Sequence, residues 1–161
     1  MIVKAVINEW YQDYKKPSLY IAFPYCSFKC EKDCGKRVCQ NSALANIKNY
    51  EVDIHEICRK YLSNPITKAI VCAGLEPLDS FKELYTLITI LRNVYQCDDD
   101  VVIYTGYTEE ECVQNQWITI LKDFNNIIIK FGRYIPNQTH HYDTVLNTEL
   151  ASMNQYAKRI S

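Results

Sequence analysis

The residues best suited to chemistry are concentrated between Cys26 and Asn41. There Cys26, Cys30, Cys34 and Cys39 place four of the chain's eight cysteines in one polar loop. The same segment holds Lys29, Lys32, Lys36 and Arg37. A positive field lowers a thiol's pKa, and the thiolate is the form that binds metal. The loop is therefore a metal candidate, and clustered thiolates of this kind hold either tetrahedral zinc or an iron–sulfur cluster. A second residue calls for a partner. Glu76 stands in the turn Gly74-Leu75-Glu76-Pro77 after an apolar run. An isolated carboxylate is costly to bury, so a cation or a hydrogen-bond donor should meet it. Cys58, Cys72, Cys97 and Cys112 are scattered along the chain and read as small core residues. His140 and His141 lie in a polar stretch without a third ligand at metal-site spacing and read as a solvated pair.

The elements that must position these residues follow from length and pattern. A chain of 161 residues with 48% hydrophobic content fits a single domain, 1–161. It is long enough for a proper core and too short for a complete eight-unit barrel. A net charge of −1 with no block of like charges gives no electrostatic footprint for nucleic acid or an anionic membrane. No apolar run approaches the roughly 20 residues of a membrane span. The charges of the first segment follow its apolar part, the reverse of a secretory signal. A cytoplasmic protein is expected. In a compartment that keeps thiols reduced, eight cysteines argue for metal or redox chemistry rather than for disulfides.

Strand-like and helix-like segments alternate. Residues 2–9 and Ser18 to Phe23 are β-rich, and Pro24 closes the second run just ahead of the cysteines. Ile54, Ile57, Cys58, Tyr61 and Leu62 follow helical spacing within Val52 to Leu62, which Asn64-Pro65 stops. Thr67 to Ala73 reads as a strand buried on both faces. Ser80 and Glu83 are placed as a capping box for a helix running to Cys97. Val101 to Thr105 is another strand, ended by Gly106, and Thr108 with Glu111 opens a third helix that reaches Leu121. Asn126 to Phe131 is the next strand, and after an irregular polar stretch the last is expected near Gln155 to Ile160. Strands separated by helices of this length make right-handed βαβ units, and the fold is α/β with a parallel sheet. In such sheets ligands bind where loops leave the carboxyl ends of the strands. Three of those ends carry the unusual residues: the cysteine loop, the Glu76 turn, and Thr105-Gly106-Tyr107. Tyr104, Tyr107 and Tyr134 are placed to line a site there. Arg133 is either a surface charge or a contact to a ligand carboxylate.

These motifs, in this order, carry a family resemblance. A strand followed by Cys26-x3-Cys30 and a third cysteine, then Ala73-Gly74-Leu75-Glu76-Pro77-Leu78 at the next strand end, resembles the radical S-adenosylmethionine enzymes. Cys39-Gln40-Asn41, Tyr104-Thr105-Gly106-Tyr107, Gly132-Arg133-Tyr134-Ile135 and Ser152-Met153-Asn154-Gln155 resemble more narrowly the small activating subunits of anaerobic ribonucleotide reductase. The resemblance implies a partial parallel β/α barrel and a 4Fe-4S cluster held by three cysteines. It also implies S-adenosylmethionine on the iron left open, and a 5'-deoxyadenosyl radical that takes a hydrogen from a glycine of the partner. The implied ligands are Cys26, Cys30 and Cys39, with Cys34 as the alternative third. The implied cofactor-binding residues are Asn41, Gly74, Leu75, Glu76, Pro77, Thr105, Gly106 and Lys130, and no further catalytic side chain is implied. The implied partners are a large glycyl-radical protein and an external electron donor such as flavodoxin. Three departures stand out. The family's Cys-x3-Cys-x2-Cys spacing is met by neither Cys34 nor Cys39, and the Gln40-Asn41 that follows favours Cys39, making residues 31–38 an insertion. Leu75 replaces the second Gly of the family turn, and Lys130 stands where the subgroup often has Asp.

Overall fold

Four short strands whose side chains alternate between two faces build the centre of the molecule, described over residues 1–161 by a computed structural model. In chain order the elements are β1 (Ile2–Val3), β2 (Ala5–Trp10), β3 (Ser18–Phe23), α1 (Lys29–Cys34), α2 (Ser42–Ala45), β4 (Tyr50–Glu51), α3 (Ile54–Ser63), β5 (Ala69–Gly74), α4 (Phe81–Thr89), β6 (Asp100–Tyr104), α5 (Glu109–Gln114), α6 (Trp117–Leu121), β7 (Ile127–Phe131), β8 (His141–Asp143), β9 (Thr148–Leu150) and β10 (Tyr156–Arg159). No helix is long and apolar enough to cross a membrane.

The main sheet has the order β10-β7-β6-β5-β3-β2. β3, β5, β6 and β7 run parallel, and β2 and β10 flank them antiparallel. The expected α/β class is present, with a mixed rather than wholly parallel sheet. A short connection returns the chain from β2 to β3, and short connections favour antiparallel neighbours. The edges β2 and β10 do not meet.

Strand periodicity separates two environments. Leu19, Ile21, Phe23, Ile70, Cys72, Val101, Ile103, Ile127, Ile129 and Phe131 pack in one core with Ile57, Cys58, Tyr61, Leu84, Leu87, Ile88, Cys112 and Leu121 of the helices. The opposite face carries smaller side chains, Ala69, Val71, Ala73, Val102 and Ile128. It is covered by Tyr14, Leu146, Leu150 and Ala157. Burying branched side chains against helices supplies most of the driving force, at about 25 cal/mol per Å². The thinner layer leaves room for a cavity. Cys58, Cys72, Cys97 and Cys112 are all buried, as their scattered placement implied.

Several local expectations are corrected. The N-terminal run is two strands, because Lys4 turns inward and its ammonium donates to the carbonyls of Ala45 and Ile47. The cysteine segment is not an open loop: it contains α1 and precedes α2. α3 begins at Ile54, with Asp53 accepting from the His55 amide, and Leu62 is exposed. Ser80 makes no cap bond, because a 3-10 turn, Pro77–Ser80, feeds directly into α4; the cap carboxylate is Glu76, which accepts from the Leu78 amide. α4 passes into a π-helical turn, Ile90–Val94. Thr108 and Glu111 do form a capping box, yet the helix they open breaks where Gln116 adopts φ 61, giving α5 and α6. The polar stretch after Gly132 contains the β8–β9 hairpin. It takes in half-buried His141, while His140 is exposed and faces Glu149 at 3.5 Å.

Gly74 closes β5 with φ +87, and a Cβ there would lie 2.8 Å from the Cα of Ala22 on β3. Gly74→Ala is expected to cost about 3 kcal/mol through left-handed strain and overpacking. The check is the urea unfolding midpoint, which should fall with little change in slope.

Candidate functional site

Because β3, β5, β6 and β7 are parallel, their carboxyl ends open on the same end of the sheet, and the loops that leave them converge. They enclose a cavity of about 470 Å³. Of the residues singled out in the sequence, Cys26, Cys30, Cys39, Asn41, Gly74, Leu75, Glu76, Thr105, Gly106, Lys130, Tyr104, Tyr107, Arg133 and Tyr134 line it. Cys34 and Pro77 do not. Cys34 ends α1, and Pro77 is buried as the first residue of the 3-10 turn.

The strand that precedes the cysteines sets their position. Beyond the β3–β5 ladder, the Leu75 amide donates to the Phe23 carbonyl at 3.4 Å and the Glu76 amide to the Tyr25 carbonyl at 2.8 Å. Asp79 then holds the next residue: its carboxylate accepts from the Ser27 amide at 2.5 Å and from the Tyr107 hydroxyl at 2.6 Å. Phe28 adopts φ 52 and turns its amide toward Cys26 Sγ at 3.2 Å. At the other end of the segment, Asn41 donates to the Gly74 carbonyl at 2.8 Å and the Cys39 amide to Glu31 at 3.3 Å. α1 is fastened to α5 by charge. Glu111 meets Lys29 at 3.2 Å and Arg133 at 2.6 Å, and Arg133 also meets Asp33 at 3.0 Å. Burial opposes the Glu111 charge, but the hydrogen bonds from Arg133, the Thr108 amide and Lys29 outweigh it and hold the carboxyl down to about 2.

The expected lowering of thiol pKa values is not found for the half-buried Cys26 and Cys30. Burial pushes Cys26 up to about 12 and raises Cys30 as well. Lys29 is engaged with Glu111, and Lys32, Lys36 and Arg37 point into solvent, where their fields are screened.

Glu76 is 4% exposed and meets donors, but they are backbone amides rather than a cation. Leu78 donates to one oxygen at 3.1 Å and Gly106 to the other at 2.8 Å. Burial outweighs these bonds and lifts its carboxyl to about 7. Lys130, on the same side of the sheet as Tyr20 and Tyr104, is held down to about 8 by burial, against the attraction of Glu76 and Asp13. The glycines serve packing more than close ligand approach. Gly74 is fixed by Ala22, whereas a Cβ on Gly106 would make only ordinary contacts with Glu76 and Arg133. Thr105 is buried, its hydroxyl accepting from the Tyr107 amide.

Sequence reading missed Asp79 and the Trp10–Asp13–Tyr20 wall. Asp79 follows Glu76 by three residues in the first turn of a helical segment, the one local signal that it serves amide donors. The wall has no local signal. Trp10 stacks on Tyr20 at 4.8 Å only because β2 and β3 pair, and its indole donates to Asp13, three residues on, at 2.5 Å.

Asp79→Ala is expected to raise hydrogen exchange of the Ser27–Cys30 amides about tenfold, from loss of one charge-assisted bond. For Glu76 the native pKa of about 7 lies above its ordinary 4.5, so the unfolded chain loses this proton first as pH rises. Stability relative to Glu76→Gln should therefore fall between pH 4.5 and 7 by on the order of 3 kcal/mol. Denaturant titrations of both proteins across that range check it.

Three soft sulfur donors face one cavity, and an amide already aims at one of them. Hydrogen bonds to sulfur of this kind are part of how iron–sulfur sites are stabilised and tuned. No three His, Cys, Asp or Glu side chains converge at single-ion distance; the thiols border a space. The residues present thus suit a cluster bound through Cys26, Cys30 and Cys39. No curated protein and no solved structure matches the chain. Residues 17–155 match the family described as the 4Fe-4S single cluster domain, a span running from β3 through the cysteines and the cavity to Gln155, and the chain belongs to that family.

Proposed function

We propose that this iron–sulfur protein is a radical S-adenosylmethionine enzyme of the activating type, which generates a glycyl radical on anaerobic ribonucleotide reductase. The observation that carries the reading is that Cys26, Cys30 and Cys39 open onto the same cavity as Glu76, Thr105 and Gly106. Three thiolates suffice to hold a 4Fe-4S cluster and leave one iron for an external ligand. Cys39 is favoured over Cys34 as the third because Cys39 borders the cavity. At about 470 Å³ the space falls within the roughly 300–1,000 Å³ typical of small-molecule sites.

When bound, the cluster supplies the single electron that cleaves the sulfonium of S-adenosylmethionine, the chemistry being the cofactor's own. The chain's residues bind and orient. Each Glu76 oxygen accepts one amide and keeps a second lone pair for a ligand ammonium. Asn41 bridges the cysteine segment to the β5 end, which ties the thiol segment to the acid turn. Tyr20, Tyr104 and Tyr107 give the walls apolar bodies that exclude water. In this reading the open sheet is an incomplete β/α barrel. Its uncovered side receives the glycine-bearing segment of the large partner, and a flavodoxin-type donor delivers the electron.

Anaerobic reconstitution tests the reading. A brown protein that releases 5'-deoxyadenosine from S-adenosylmethionine under reduction is expected, as is a glycyl radical signal by electron paramagnetic resonance after addition of the reductase. A colourless protein carrying stoichiometric zinc sinks the proposal. Cys26→Ala, Cys30→Ala and Cys39→Ala should each lose the cluster absorbance, while Cys34→Ala keeps it; the opposite result for the last two reassigns the third ligand.

A further inference from the structure

Residues 31–38, which lengthen the spacing between Cys30 and Cys39, carry positive charge that the fold does not use. Lys32, Lys36 and Arg37 are exposed and take part in no ion pair. The charged groups around them are committed inward: Lys29 pairs with Glu111, Asp33 with Arg133, and Glu31 accepts the Cys39 amide. The three cations thus do nothing to hold the segment, and Cys26 and Cys30 are raised by burial rather than lowered by their field. Their mutual repulsion is left to solvent, in a chain whose net charge is −1.

Position gives these charges a use. Cys30 and Cys39 border the cavity and Lys32, Lys36 and Arg37 do not, so the segment turns thiols inward and cations outward. Lys32 lies two residues from Cys30, and Arg37 two from Cys39, which keeps each pair of Cα atoms within about 8 Å. A protein seated on this face comes close to both thiols without entering the cavity. The size of the patch selects the occupant. Nucleic-acid recognition commonly neutralises roughly 6–10 phosphates, and anionic membranes draw clusters of about 4–8 Lys and Arg; three cations fall short of both. Electron-transfer encounters between proteins are small, below about 1,200 Å², and surface charges set how fast such partners meet.

We propose that Lys32, Lys36 and Arg37 form the docking surface for a small acidic protein that carries single electrons. The assignment rests on the reading that Cys30 and Cys39 hold the cluster and that an external donor feeds it. The extra residues between those cysteines then serve electron entry, on the face turned away from the ligand cavity.

The test follows the bleaching of the reconstituted cluster by stopped flow, with reduced flavodoxin as the acidic donor and the photoreduced, neutral 5-deazariboflavin as reference. Three proteins are compared: wild type, K32E/K36E/R37E, and K15E/K60E/K122E, which makes the same change in net charge at exposed positions elsewhere. Electrostatic steering predicts that the first variant loses tenfold or more of the flavodoxin rate at low ionic strength, together with its salt dependence, while deazariboflavin reduces all three alike. An undiminished flavodoxin rate, or an equal loss in both variants, overturns the assignment. So does a wild-type cluster that deazariboflavin reduces and neither flavodoxin nor a 2Fe-2S ferredoxin does. Patch-dependent binding to duplex DNA or anionic vesicles without an effect on flavodoxin also overturns it. Should the patch variant fail to load its cluster, carbodiimide coupling of the wild type to flavodoxin decides: links at Lys32 or Lys36 are expected, and links only elsewhere discard the surface. If the wild type itself takes up no cluster, the cofactor reading fails separately, and the same coupling still keeps or discards the docking face.

Discussion

Everything at the open end of this sheet depends on one buried carboxylate held by main-chain amides. Glu76 leaves the end of β5 and binds the amide of Gly106 at the end of β6, so two neighbouring strand ends are locked by a side chain just beyond the sheet ladder. Its own amide holds Tyr25, the residue before the first cysteine. A buried acid without donors would be untenable. With them it becomes the fixed point from which the thiol segment, the 3-10 turn and the Thr105 turn are hung. Its elevated pKa records how little solvent reaches it.

Asp79 extends the same logic by one helical turn. It takes the Ser27 amide and the Tyr107 hydroxyl, binding the cysteine segment to the β6 loop from a second direction. Glu111 does this a third time, through Lys29 and Arg133. Asp79 and Glu111 hold the cysteine segment through their carboxylates, and Glu76 does so through its backbone amide. Fixing ligands through supporting hydrogen bonds and charges is what keeps a metal site in place. Here that support comes from the parallel strands' shared polarity, which sends every loop to one end.

Two kinds of residue share the cavity and differ in how they were reached. Cys26, Cys30, Cys39, Glu76 and Thr105-Gly106 stand out in the chain because their types are unusual at strand ends. Asp13 and Trp10, which reach the wall, and Asp79, which supports it from behind through the Ser27 amide, are ordinary residues in ordinary company that only folding brings there. The helical expectations failed for a related reason. Ser80-x2-Glu83 has the letters of a capping box, but the chain is already turning from Pro77, and no local pattern reports a turn that begins three residues early. Gln116 breaks the third helix, although the apolar periodicity runs through it, because periodicity records which face is buried and not whether the backbone is continuous.

Taken alone, the sequence determined the α/β class, the parallel centre of the sheet and the burial of Cys58, Cys72, Cys97 and Cys112. Each of these is written in local composition and period, which depend on neighbours along the chain. Tertiary structure decided the rest: the antiparallel edges, the Trp10–Asp13–Tyr20 wall, the placement of Cys39 at the cavity and of Cys34 outside it, and the isolation of Lys130. Those depend on which distant side chains reach a given charge or thiol first. For Arg133, two acids arrive; for Lys130, none does, because amides and an indole had already claimed the acids within its field.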